Sequence, residues 1–243
     1  MTERNPSAHQ LRYQSLDLIR GVAIALMFVY HFAFGLSQLG LINFNFSVEP
    51  FWVSFRFIIV FLFLSLVGIG LVLVTQTGLR VKSYIKRLVL LFVYAGSISL
   101  LSYFVRPQYY VVFGILHLIF ISSILGLVFT RFYWGNLVLG GFIILAGYNL
   151  NFTQLEQTSL QWVGMSNFKP IADDFAPLFP WFGLVLLGMF LGKFVFDKNN
   201  FEWLSTWQSD HWLPSLLSWA GKYSIHLYFI HFQMFYLLVY LFR

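Results

Sequence analysis

Seven runs of apolar residues, at 16–36, 52–74, 85–105, 111–130, 134–148, 178–196 and 219–241, are separated by polar connections. Each lies near the roughly 20 residues that a helix needs to cross a bilayer, the fifth being the shortest. Trp52, Tyr109, Tyr110, Trp134, Trp181 and Trp219 stand at run ends, as interfacial anchors do. The first run differs from the rest. It opens on Asp17 and Arg20, turns apolar from Val22 to Tyr30, and carries His31 deep inside. At 100° per residue, Arg20 and His31 return to within roughly 20° of one face, about 16 Å apart along the axis, with Asp17 within about 40°. Ionisable groups pointed at lipid are costly, so this stripe is expected to face protein or a water-filled cavity.

The pattern predicts an all-α fold: a polytopic membrane helix bundle of about seven transmembrane helices, forming one domain over 1–243 with its core at about 11–241. Composition agrees. Of the 243 residues 59% are hydrophobic and 10% charged, against about 25% charged in a soluble domain. The net charge of +6 is a matter of topology and points to no nucleic-acid partner. With the N-terminus inside, the inner segments hold Arg4, Arg12, Arg80, Lys82, Lys86, Arg87, Arg131, Lys193, Lys198 and Lys222. The outer segments hold only Arg106, Lys169 and Arg243. That asymmetry predicts N-in and C-out. The apolar run that follows the polar first stretch is long and lacks a clear small-residue cleavage site, so it reads as a retained span. No cysteine is present, which removes thiolate and disulfide chemistry.

Depth follows from the helical rise of about 1.5 Å per residue. His31 enters from inside and His117 from outside, and both reach the outer half of the membrane at nearly one level, so the two are expected to form a single site. His226 falls near the inner face on the level of Arg20, and His231 near the midplane. His226 and His231 lie about 140° apart around their helix and cannot face one partner. His9 and His211 fall outside the membrane core. A neutral imidazole suits general-base chemistry at physiological pH, deprotonating an amine or hydroxyl that attacks an activated acyl group. A proton relay is the rival use. No ligand spacing supports a metal site. Arg20, the Arg80–Arg87 cluster and Lys222, with His226, are candidates for holding phosphates at the inner face; taken singly, Arg80, Lys82, Lys86 and Arg87 read as topology-setting charges. Gly114, three residues before His117, permits close approach of a neighbour or ligand. Outside, Asp173, Asp174 and Trp181 frame the entrance to the sixth span, where an acidic mouth suits an amine-bearing ligand. Gly183, Gly188 and Gly192 suit close helix packing.

The stretches SLDLIRGVAIALMFVYHF, RFIIVFLFLSLVGIGL, VVFGILHLIFISSIL, DDFAPLFPWFGLVLLGMFLG and WAGKYSIHLYFIHFQ occur in this order. The chain thereby resembles a family of bacterial membrane proteins grouped with the catalytic domain of heparan-alpha-glucosaminide N-acetyltransferase, over about 11–241. The resemblance implies transfer of an acetyl group from cytoplasmic acetyl-CoA to a sugar amine or hydroxyl outside, in the plasma membrane of a bacterium. It also implies an early-helix arginine and a first-helix polar active-site residue, the position where His31 falls. In the animal lysosomal enzymes that position looks to be an asparagine, and a luminal-loop histidine is catalytic; here the loop from 32 to 51 holds no histidine.

The expected enzyme binds acetyl-CoA through Arg20, His226, Lys222 and Gly114 and uses His31 and His117 as catalytic residues. It admits a glycan or amino-sugar acceptor past Asp173, Asp174 and Trp181, with the lipid bilayer and a second copy of the chain as further partners. Two other readings stand beside it: a proton-coupled transporter, and a non-catalytic partner in envelope biogenesis.

Overall fold

Each apolar run is helical in the computed structural model, which describes residues 13–156, 160–166, 170–197 and 201–241. The helices are α1 (Gln14–Gln38), α2 (Pro50–Gln76), α3 (Val81–Val105), α4 (Ile115–Phe129), α5 (Trp134–Asn149), α6 (Leu178–Gly192), α7 (Glu202–Thr206), α8 (Trp212–Lys222) and α9 (Ser224–Leu241). Among the described residues there is no strand beyond one isolated bridge, Gly164 to Phe179. Four segments, α1, α2, α3 and Leu178–Phe196, are long and apolar enough to cross a membrane.

Two runs depart from the expected outline. The fourth becomes helical only at Ile115, because the backbone of Val111 is tied to the end of α3. The Val111 N–H donates to Ser102 Oγ at 2.9 Å, and Ser99 Oγ donates to the Val111 carbonyl at 2.6 Å. The seventh is broken. The helix ends at Lys222, passes through Tyr223 (φ −104°, ψ 19°), and restarts at Ser224. Its first part reaches back to Trp212, into a stretch that reads as a connection in the sequence.

Lipid tails are as apolar as leucine, so helix association in a membrane depends on close fit more than on hydrophobic burial. Glycines provide that fit. A Cβ on Gly21 would lie 1.8 Å from the Leu217 carbonyl oxygen, and one on Gly221 would lie 1.7 Å from that of Asp17. The two helices therefore touch backbone to backbone. The contact is parallel: Gly21 lies beside Gly221, His31 beside His231, and Gly35 beside Phe235. α1 and α9 thus run the same way. α2 and α6 repeat the device. A Cβ on Gly68 would meet the Val185 oxygen at 2.1 Å, and one on Gly188 the Ser65 oxygen at 2.2 Å. Gly183 faces Gly140 of α5, and Gly192 faces Ile69. Between these crossings the core closes over Met27, Leu71, Leu118, Leu186 and Met189, all at 1% exposure or less.

Candidate functional site

The Gly21–Gly221 contact brings the charged start of α1 against the break between α8 and α9. A cavity of about 610 Å³ opens there. That volume falls within the range of small-molecule and cofactor sites. Its wall carries Arg20 from α1, Arg87 from α3, Lys222 from the end of α8 and His226 from the first turn of α9. Asp17 is the one carboxylate on the wall among the described residues, and its Oδ1 already accepts a 2.9 Å hydrogen bond from Arg20. Arg87, which taken singly reads in the sequence as a topology-setting charge, has Arg20 and Tyr84 as its electrostatic neighbours. Among the described residues no carboxylate faces it. His226 shares a 2.8 Å hydrogen bond with the Tyr94 hydroxyl, and the Lys222 ammonium sits 5.6 Å from the Tyr223 ring. Two guanidiniums on one wall, with a single acid that is already paired to Arg20 and an ammonium nearby, suit a polyanion. Of the residues expected to hold phosphates, Arg20, His226 and Lys222, with Arg87 of the basic cluster, are brought together here. Gly114 is not among them.

Inward, the cavity ends at Ile115, Leu116 and Tyr228. Behind that end lies Asp174. Its Oδ2 accepts from the Ile115 N–H at 2.9 Å and from the Tyr228 hydroxyl at 3.0 Å. A carboxylate from a distant loop thereby caps the first turn of α4, satisfying an orphan N–H and meeting the positive end of the helix dipole. Burial pushes the Asp174 carboxyl above its ordinary range, while the Ile115 N–H and the Tyr228 hydroxyl pull it back. Gly114 makes this possible, since a Cβ there would sit 2.2 Å from Asp174 Oδ2. Gly114→Ala is therefore expected to lift Asp174 off the helix end, at a cost of roughly 1–3 kcal/mol of stability. Gly96→Ala meets nothing within 4 Å and serves as the control in a thermal unfolding measurement.

Asp173 turns the other way. Its Oδ1 accepts from Arg106 at 2.7 Å, both side chains are largely buried, and Arg106 also donates to Gln38 Oε1 at 3.0 Å. Burial raises the Asp173 carboxyl to about 6 and outweighs the lowering pull of Arg106. The backbone follows: the Asp173 N–H donates to the Tyr109 carbonyl and that of Ala176 to the Phe113 carbonyl, both at 3.0 Å. Asp173 and Asp174 thus fasten the 170–177 segment across the C-terminal end of α3 and the start of α4. Trp181 stands apart from them, its ring 6.0 Å from Phe57 of α2.

The histidines pair differently from the depth argument. His117 folds back on its own helix start: the Gly114 N–H donates to Nδ1 at 3.2 Å, and Nε2 lies 3.3 Å from Ser99 Oγ. A backbone N–H only donates, so Nδ1 is the acceptor and Nε2 carries the proton. Both ring nitrogens are thus used in holding the start of α4. His31 instead meets His231, with ring centroids 4.9 Å apart. His31 donates its Nδ1–H to the Met27 carbonyl at 3.1 Å, which leaves Nε2 as a free base. The His231 ring lies 5.2 Å from that of Tyr228, about one turn further along α9 from the cavity end.

Residues 12–233 match the family described as heparan-alpha-glucosaminide N-acetyltransferase, catalytic. No curated protein and no solved structure matches the chain.

Proposed function

Since the chain belongs to this family of transmembrane acetyltransferases, we propose that the cationic cavity is the donor site. It takes acetyl-CoA from the cytoplasm of a bacterium, with the protein in the plasma membrane, N-terminus inside. The observation that carries this reading is Arg87, a guanidinium that shares a cavity wall with Arg20 and has no acid of its own among the described residues. Like charges so placed destabilise one another unless an anion joins them. Arg20, Arg87, Lys222 and His226 hold the phosphates, and the acyl end lies toward Ile115 and Tyr228. The acceptor is a sugar amine or hydroxyl arriving from outside, past the segment held by Asp173 and Asp174. His31 is the general base. Its Nδ1–H is anchored on a carbonyl, which fixes the tautomer and presents Nε2.

The test is thermal unfolding of the purified protein with acetyl-CoA. A ligand at 100 times its dissociation constant stabilises by about 2.7 kcal/mol, so a saturable rise in melting temperature is expected. Arg87→Ala removes hydrogen bonds to a charged group, which are worth about 1.5–3 kcal/mol, and is expected to weaken acetyl-CoA about 10- to 100-fold. Folded wild-type protein that no CoA ester stabilises would remove the donor site from the reading.

A further inference from the structure

His31 and His231 both lie in the membrane-spanning part of the bundle, and each spends its one ring proton on a backbone carbonyl. His31 Nδ1 lies 3.1 Å from the Met27 oxygen and His231 Nδ1 lies 2.7 Å from the Tyr228 oxygen. A carbonyl only accepts, so both Nδ1 atoms carry hydrogen and both neutral rings present a bare Nε2. The His231 Nε2 is buried and has no hydrogen-bond partner; the His31 ring is partly exposed, and its hydrogen bond among the described residues is made by Nδ1, not by Nε2. An acceptor left without a donor away from water costs roughly 1–3 kcal/mol. Here two bare acceptors lie on rings 4.9 Å apart.

We infer that His31 and His231 form a single proton-holding site, in which one proton taken up between the two Nε2 atoms turns a pair of unsatisfied acceptors into a donor and an acceptor. The surroundings leave the pair to itself. From α1 the titratable neighbour is Tyr30, edge-on to His31 at 5.5 Å; from α9 it is Tyr228. The other rings against the pair are Phe28 and Phe232. No carboxylate or guanidinium of the described residues lies against either imidazole, so the added charge is shared by the two rings alone.

The site has a use in the proposed reaction, on which this part of the inference rests. When a neutral amine attacks the thioester carbonyl, a C–N bond forms, the C–S bond breaks, and coenzyme A leaves as the thiolate. The nitrogen must shed one proton, and His31 Nε2 receives it. His231 then acts as a positioning residue, holding that proton in the pair so that His31 does not carry a whole charge alone in the membrane core.

The test reads the proton directly and needs no acceptor or donor. Protein labelled with 15N-histidine is placed in lipid nanodiscs, and the ring-nitrogen signals are followed against pH, with His31→Gln and His231→Gln providing the assignments. The two wild-type Nε2 signals are expected to move together in one step that binds a single proton per pair. Replacing either histidine is expected to move the midpoint of the other by about tenfold in proton concentration or more, by the same factor in both directions, since coupling is reciprocal. Independent titration of the two rings in the wild type overturns the inference. So does a midpoint for one histidine that stays put when the other is replaced, and if one variant fails to fold the second and the wild type still decide. Failure of the acetyltransferase reading shows elsewhere, as an absence of stabilisation by acetyl-CoA, and leaves these signals unchanged.

Discussion

Gly221→Ala is expected to lower stability by about 3–5 kcal/mol and to abolish stabilisation by acetyl-CoA. The new methyl group would lie 1.7 Å from the Asp17 carbonyl oxygen and 2.9 Å from the Gly21 nitrogen, both of them backbone atoms. A flexible side chain swings aside at little cost; a helix backbone does not. Ordinary overpacking costs about 1–3 kcal/mol, and values above about 4 are reserved for disruptions of this kind. The whole of α8 must therefore move off α1. That motion separates Asp17 and Arg20 from Lys222 and the first turn of α9, which together make the mouth of the cavity. Gly21→Ala, aimed at the Leu217 oxygen from the other side, is expected to do the same. Gly141→Ala, which meets nothing within 4 Å, is the control. Melting temperatures with and without acetyl-CoA check both halves. A Gly221→Ala protein that melts with the wild type would show that α1 and α8 are not in backbone contact.

The second large effect is one of pH. Asp173 carries an ordinary carboxyl value of 3.8 when unfolded and about 6 when folded. The folded state therefore binds the proton more tightly. Its contribution to stability is fully present below pH 3.8, shrinks as pH rises, and is lost above about 6. A tenfold difference in proton affinity between the two states corresponds to about 1.36 kcal/mol, so the swing attributable to this group is at most roughly 3 kcal/mol. The pairing with Arg106 does not reverse the sign, because burial contributes more than the guanidinium. In thermal unfolding across about pH 3 to 7.5, a range that brackets both values, the wild type is expected to lose stability toward neutral pH more steeply than Asp173→Asn. Parallel curves for the two proteins would mean that the carboxyl is hydrated in the native state and that the 170–177 segment is not docked through it.

What the sequence makes legible here is whatever depends on position along a single helix. The stripe of Asp17, Arg20 and His31 is such a feature, because a rotation of about 100° per residue is nearly independent of context. In the structure Asp17 is buried and Arg20 opens on the cavity. The packing roles of Gly183, Gly188 and Gly192 are legible for the same reason: small residues on a face admit a neighbour. Pairings between helices are not legible. Depth in the membrane is a linear quantity, and it places His31 and His117 at one level. Which ring turns toward which is set by the order of helices around the bundle. The glycine contacts with α8, continued by α9, give His31 its neighbour in His231, while His117 is spent on the start of its own helix. Arg87 is hidden by its company, since it stands in a run of basic residues, Arg80, Lys82 and Lys86, that reads as a topology signal. Asp174 is hidden by distance, because a cap contributed 59 residues away leaves no local signal. The break at Tyr223 carries no proline, and Gly221 and Ser224 beside it are only weak helix-breaking signals.

The parallel contact between α1 and the α8–α9 pair joins parts of the chain that lie about 200 positions apart. Spans are made and inserted in order, and at about 5–20 residues per second the first of them waits roughly 10–40 s for its partners. During that interval the face bearing Asp17, Arg20 and His31 has neither Gly221 nor His231 to cover it, and an ionisable group in the bilayer core costs at least a few kcal/mol. The cationic cavity and the histidine pair thus come into being together, once α8 and α9 have been made. A ribosome that stops before α8 releases a chain with a charged seam open to lipid, which is the kind of defect that membrane proteases and insertases are built to detect.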